Sequence, residues 1–187
     1  MKILGRRVNI DRDFREIFVS EIISISGGLL AGMFLLNLLN KQHLLSGLFI
    51  LLPGFLEMHG NIFGSLAARL GTLLHTKHIK PKFKLNKLLT INIWATILLM
   101  FIVSLFLGIV AYLLNLYIFN TYTPVLILLT VIAAIIALLI EIPLTIATTF
   151  WFFKRGYDPD DIMGPYVTTT GDVISIVSIL IGVLFIA

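Results

Sequence analysis

Long apolar runs separated by short polar segments make up most of this 187-residue chain. A helix that crosses the hydrocarbon core of a bilayer needs about 20 mostly apolar residues. Three such runs lie at Ile17–Leu39, from Leu44 to about Leu70, and from about Met163 to the C-terminus. The remaining run, Leu88–Phe153, contains one charged residue, Glu141, and is long enough for two helices. The pattern therefore predicts a protein that crosses a membrane several times.

The segment from Thr121 to Pro124 divides the longest run. Proline favours the first turn of a helix and disfavours helix for the residue before it. We therefore expect a third span over Leu88–Phe119 and a fourth over Pro124–Phe153. The resulting fold class is an all-α polytopic membrane protein with five transmembrane helices.

The 14 lysines and arginines favour the count of five and give it an orientation. Five precede the first span, six lie between Arg69 and Lys87, and Lys154 and Arg155 separate the last two spans. Only Lys41 falls on the opposite side of a five-span arrangement. Because basic residues concentrate in cytoplasmic loops, we predict a cytoplasmic N-terminus and a C-terminus outside.

The composition agrees with a membrane protein. The chain is 58% hydrophobic and 13% charged, with a mean hydropathy of +1.02, whereas soluble domains are about 25% charged. It has no cysteine, which excludes disulfide and thiol chemistry, and its first 16 residues are too charged for a signal peptide. We expect a single membrane domain over residues 1–187, with a short cytoplasmic segment 1–16, in the plasma membrane. No common catalytic motif is present, so an enzyme is not expected, and the placement of the net charge of +4 does not suggest nucleic acid as a partner.

Three carboxylates, Glu57, Glu141 and Asp172, fall well inside predicted spans. Each costs roughly 2.5–3.5 kcal/mol at the centre of a membrane helix. No lysine or arginine lies deep in any span to pair with them. They must therefore be protonated, hydrated in a cavity or bound to a cation.

Oxygen-bearing side chains accompany these acids at helical spacing. Glu57, Asn61 and Ser65 share one face of the second span, and Thr168 and Asp172 share a face of the fifth. Ligands of this kind suit hard cations such as Mg²⁺ or Ca²⁺, with Mn²⁺ possible. The predicted cation-binding residues are Asp172, Glu57, Asn61, Thr168 and Glu141.

Several features allow two interpretations. Glu141 fits a structural role as well as a functional one, and for His59 a role other than metal ligand is favoured. The acids of Asp158–Asp161 suit a helix start, but they also suit a cytoplasmic mouth that concentrates cations. The third span has only scattered polar residues and is predicted to be the most lipid-exposed.

Two segments resemble the MgtE-type magnesium transporters and the related eukaryotic magnesium solute carriers: LPGFLEMHGNIFGSLAARLGT and GYDPDDIMGPYVTTTGDVISI. The matching residues of the first segment are Pro53, Gly60-Asn61, Ala67-Ala68 and Arg69. Those of the second are Asp158-Pro159, Gly164-Pro165, Thr168 to Thr170, and Asp172.

The resemblance implies a homodimer with the ion pathway around its two-fold axis. It also implies that Asp172 faces hydrated Mg²⁺, with Asn61 and Thr168–Thr170 beside the path. Bacterial members have Gly-Gly-Asn where this chain has His59-Gly60-Asn61, which is closer to the eukaryotic carriers. They also carry a cytoplasmic sensing region with CBS domains that this sequence lacks, so we expect gating by other means.

The sequence thus favours a divalent-cation transporter or channel, most readily for Mg²⁺, with Mn²⁺ or another divalent ion as alternatives. Its expected partners are a second copy, the bilayer and divalent cations. One alternative is a proton- or sodium-coupled secondary transporter of another solute, in which Glu57, His59 and Glu141 form the relay. The other is a membrane scaffold that transports nothing.

Overall fold

Five helices account for nearly all of the regular structure in the described residues. The computed structural model describes residues 2–3, 6–7, 10–36, 45–82 and 86–186. Two short strands, β1 (Lys2–Ile3) and β2 (Arg6–Arg7), pair antiparallel near the N-terminus. The remaining regular elements of the described chain are helices, which confirms the all-α prediction. The helices are α1 (Ile10–Leu36), α2 (Leu45–His75), α3 (Lys87–Phe119), α4 (Val125–Lys154) and α5 (Pro159–Ile186).

Four of these helices, α1, α3, α4 and α5, contain segments long and apolar enough to cross a membrane. Helix α2 is as long as the others, but Glu57, His59 and Asn61 interrupt its apolar sequence. A fifth span and the orientation of the termini therefore stay predictions. The predicted end of the first span at Leu39, the start of the second at Leu44, and the loop residue Lys41 lie outside the described residues.

The turn between α3 and α4 lies where the sequence predicts it. Helix α3 ends at Phe119, and Asn120 follows in the left-handed conformation, with φ of 51°, that asparagine tolerates better than most residues. The side-chain amide of buried Asn115 donates a 2.6 Å hydrogen bond to Oγ1 of Thr123. Helix α4 begins directly after Pro124. The third and fourth helices consequently match their predicted bounds to within one residue.

Helices α2 to α5 form the packed core, and α1 packs against α5 at one side. Large side chains of α2 and α4, including Phe55, Phe63 and Phe150, are almost fully buried. Gly108 of α3 allows a close approach to α4, because a Cβ there would lie 2.9 Å from Cα of Ile127. Among the described residues, α1 contacts α5 and no other helix.

The third span is predicted to be the most lipid-exposed, but within the single chain α3 is not the most exposed of the described helices. Helix α1 buries a smaller share of its surface than α3 does. The polar residues Thr96, Ser104 and Asn115, which appear scattered in the sequence, are fully buried along one face of α3. That face packs against α2 and α4.

Candidate functional site

Helices α2 and α5 together form a pocket of about 270 Å³. Four of the five predicted cation-binding residues line it, although they come from positions more than 100 residues apart in the chain. The structure therefore brings together two stripes that the helical spacing could only define separately. The lining residues are Pro53, Leu56, Glu57, Gly60, Asn61, Thr168 and Asp172.

Gly60 determines how closely the two stripes approach. A Cβ at Gly60 would lie 3.2 Å from Cγ2 of Thr168, which is tighter than an ordinary van der Waals contact. Small residues permit this kind of close approach between membrane helices. Because Gly60 has no side chain, the turn of α5 that carries Thr168 can lie beside the Glu57–Asn61 turn of α2.

Hydrogen bonds orient two of the oxygen donors. The side-chain amide of Asn61 donates a 3.0 Å hydrogen bond to Oε1 of Glu57, one turn earlier in α2. The hydroxyl of Thr168 donates to the backbone carbonyls of Pro165, at 3.0 Å, and Gly164, at 3.3 Å. Since its proton is directed at the backbone, the lone pairs of Thr168 Oγ1 remain available to a cation.

The two carboxylates of the pocket repel each other. Glu57 is exposed and Asp172 is half-buried, and they lie close enough for their charges to interact. A cation between them would relieve this repulsion. The donor set of two carboxylates, an amide and a hydroxyl contains only oxygen and suits a hard divalent ion that keeps part of its water shell.

The pocket opens onto the surface of the chain. Glu57, Asn61 and Ser65 are all exposed along α2, and Thr168 is exposed on α5. The oxygen-bearing stripe of α2 therefore continues along the surface for two turns beyond Glu57 instead of facing the core.

Glu141, the fifth predicted ligand, does not line this pocket. It is only 3% exposed, and its Oε1 atom lies 3.9 Å from the position of a Cβ on Gly171. The carboxylates of Glu141 and Asp172 are near enough to repel each other when both are ionised. Glu141 thus lies in the interior beside Gly171 of α5, outside the pocket. Within the described part of the chain, its two oxygens have no hydrogen-bond partner.

His59 is completely buried between two aromatic rings of its own helix. Its ring centroid lies 4.4 Å from that of Phe55 and 6.1 Å from that of Phe63. Nδ1 donates a 2.8 Å hydrogen bond to the backbone carbonyl of Phe55, because a carbonyl can only accept. This fixes the tautomer of a neutral ring, with the lone pair on Nε2. No described residue supplies a hydrogen bond to Nε2.

A polar cluster at the start of α5 includes a residue that the sequence did not single out. Helix α5 begins at Pro159, and the amide of Asp160 donates a 3.1 Å hydrogen bond to Oδ1 of Asp158, which confirms the predicted helix start. The ring atom Nε2 of His75 lies 3.1 Å from the same carboxylate oxygen. One ligand atom from each of His75, Asp158 and Asp160 falls within 4.8 Å of the others. No local signal could have paired His75 with a residue 83 positions away.

Comparisons with known proteins agree with this architecture. The family model for MgtE, described as a divalent cation transporter, matches residues 52–182, which is most of the chain and includes both stripes of the pocket. Neither a curated protein nor a solved structure matches the chain. The matched family is one of transporters and not of enzymes. The chain belongs to the MgtE family of divalent cation transporters.

Proposed function

We propose that this chain transports Mg²⁺ through a pathway lined by the polar stripes of α2 and α5. One observation carries the proposal: Glu57, Asn61, Thr168 and Asp172 meet at a single pocket with oxygen donors only. Mg²⁺ dehydrates reluctantly and usually keeps several waters. A pocket of about 270 Å³ that opens to the surface has room for such a partly hydrated ion.

We further propose that two copies of the chain form the complete pathway. The stripe of Glu57, Asn61 and Ser65 is exposed in the single chain. Carboxylate and amide groups are costly against lipid. In a two-fold symmetric dimer, each chain would use this same surface to contact the other. The exposed α2 stripe of each chain would then be covered, and the two pockets would be enclosed between the chains.

The orientation and location follow the distribution of basic residues. A cytoplasmic N-terminus places Lys154 and Arg155 on the cytoplasmic side of a bilayer, together with His75 and the start of α5. In this arrangement the cluster of His75, Asp158 and Asp160 lies at the cytoplasmic end of the helices that carry the pocket. We propose the plasma membrane as its location.

Mg²⁺ uptake into vesicles tests the proposal. Proteoliposomes with the full chain should take up Mg²⁺, and Asp172→Asn, which keeps the size of the side chain but removes its charge, should reduce the rate at least about tenfold. Glu21→Gln is the matched control, because Glu21 is an exposed acid of α1 outside the pocket. Equal uptake by wild type and Asp172→Asn would reject the proposed site.

Ion-coupled transport is the second candidate function. The observation that favours it is that two buried polar side chains, His59 and Glu141, both lie near Gly171, one residue before Asp172. In a coupled carrier, an opposing Na⁺ or pH gradient drives Mg²⁺ uptake against its own gradient. A channel is the mechanism if Mg²⁺ uptake follows the Mg²⁺ gradient alone. In that case an imposed gradient of Na⁺ or pH would not change uptake, and coupled transport would be rejected.

A further inference from the structure

A larger cavity, of about 650 Å³, lies between α1 and the pair formed by α4 and α5. It shares no lining residue with the pocket of α2 and α5. Its volume is within the range of about 300–1,000 Å³ that is usual for ligand pockets. This cavity, between residues 15–24 of α1 and the cytoplasmic ends predicted for α4 and α5, is called the α1 groove below.

The groove is a wedge that closes at one end. Gly27 of α1 packs directly against the methyl group of Thr169 in α5, where a Cβ on Gly27 would have no room. Ser24 and Thr170 line the groove next to this contact, whereas Arg15 and Arg155 line it far from the contact. The groove therefore closes at the contact between Gly27 and Thr169 and has a basic mouth at its other end.

The walls of the groove offer an apolar surface. Val19 and Ile23 of α1 face it, together with Phe152 and Ile162 from the opposite side. The hydroxyls of Ser20, Thr169 and Thr170 donate to backbone carbonyls of their own helices, as Thr169 does to Pro165 at 2.8 Å. Such walls suit a hydrocarbon chain better than a polar solute.

The mouth of the groove carries a net positive charge. Arg15 and Arg155 both line it, and the acid beside them is Glu16. The guanidinium of Arg155 lies 4.3 Å from the centre of the Trp151 ring, which holds it at the edge of the groove. Tryptophan and arginine at the end of a membrane helix are typical of the headgroup region.

We propose that the α1 groove binds an anionic phospholipid, with its phosphate at Arg15 and Arg155 and one acyl chain along Val19 and Ile23. Guanidinium groups bind phosphate oxygens in a bidentate manner, and basic pockets between membrane helices select anionic headgroups. Zwitterionic phosphatidylcholine also has a phosphate, but its quaternary amine offsets that charge, so the two arginines favour a lipid with a net negative headgroup.

Tryptophan fluorescence can report the lipid directly. The chain has two tryptophans, Trp94 and Trp151, and only Trp151 lines the groove. The full chain with Trp94→Phe is placed in vesicles of equal parts phosphatidylcholine and phosphatidylglycerol, with brominated acyl chains on one lipid or on the other. Bromine quenches tryptophan only at short range, so the proposal predicts stronger quenching when the anionic lipid carries it.

Matched variants separate binding in the groove from general attraction to the bilayer. Arg15→Gln should lower the preference of Trp151 for the anionic lipid about fivefold, and Arg15→Lys should retain most of it. Lys80→Gln with Lys87→Gln removes two exposed basic residues outside the groove and should change nothing.

Two further readouts decide the proposal. In a chain with Trp151→Phe, the exposed Trp94 of α3 should show no preference between the two lipids. Equal quenching of Trp151 by both lipids would overturn the proposal and point to a neutral lipid or a second copy in the groove. An unchanged preference in Arg15→Gln would overturn it as well.

Discussion

The side-chain amide of Asn61 donates a 3.0 Å hydrogen bond to Oε1 of Glu57, and both side chains are exposed at the mouth of the α2–α5 pocket. The bond holds the Glu57 carboxylate on the side of α2 that faces Asp172. A flexible carboxylate would lose rotamer entropy each time it met an ion. The pair thus places a preformed acid opposite Asp172.

Loss of this bond should weaken the affinity for the ion. Asn61→Ala leaves Glu57 in place but removes the donor, and we expect the Mg²⁺ concentration at half-maximal uptake to rise about threefold to tenfold. Asn92→Ala is the control, because Asn92 of α3 donates to the backbone carbonyl of Leu88, away from the pocket. The role of Asn61 would be refuted if the two variants had the same half-saturating concentration as wild type.

The contact between α3 and α4 should be sensitive to a single methyl group. A Cβ on Gly108 would lie 2.9 Å from the backbone of Ile127, so Gly108→Ala must push the two helices apart. We expect the free energy of unfolding to fall by about 1–3 kcal/mol, as measured by denaturation in mixed detergent micelles.

Gly28→Ala provides the comparison for Gly108→Ala. Position 28 has no atom of another residue within 4 Å of the new methyl group among the described residues. Alanine also favours helix over glycine, so this variant should be as stable as wild type or slightly more so. Equal losses in the two variants would contradict the packing described for α3 and α4.

Cross-linking tests the proposed two-fold pairing of the stripes. The chain has no cysteine, so a single introduced cysteine gives an unambiguous product. Ser65→Cys lies on the exposed stripe of α2, and we expect it to form a disulfide-linked dimer in vesicles on mild oxidation. Leu139→Cys, exposed on α4 away from the stripe, should remain a monomer. Efficient dimer formation through Leu139→Cys but not Ser65→Cys would place the interface elsewhere.

The bounds of α3 and α4 were predictable because their signals are local. The apolar runs predict both helices, and Pro124 predicts the break between them. The first span is predicted to start at Ile17, whereas helix α1 itself starts at Ile10, because hydropathy measures the apolar length of a helix and not its charged extension. The first turns of α1 carry charged residues, so the helix begins before the apolar pattern does.

The members of the candidate site were predictable, but their assembly was not. The spacing of Glu57 and Asn61 placed them one turn apart in α2, as observed. Helix α4 is apolar nearly all round, so its sequence could not indicate which neighbour Glu141 faces. The buried position of Glu141 and the pairing of His75 with Asp158 depend on how distant helices pack, which no local pattern records.

The most direct test of the account asks whether ions pass Thr168. Thr168→Cys places a thiol in the pocket, and a positively charged thiosulfonate reagent should then block Mg²⁺ uptake into proteoliposomes. Excess Mg²⁺ should slow the block. Asn120→Cys, exposed in the turn between α3 and α4, should be modified without loss of uptake. Full uptake through a completely modified Thr168→Cys chain would contradict the pathway between α2 and α5.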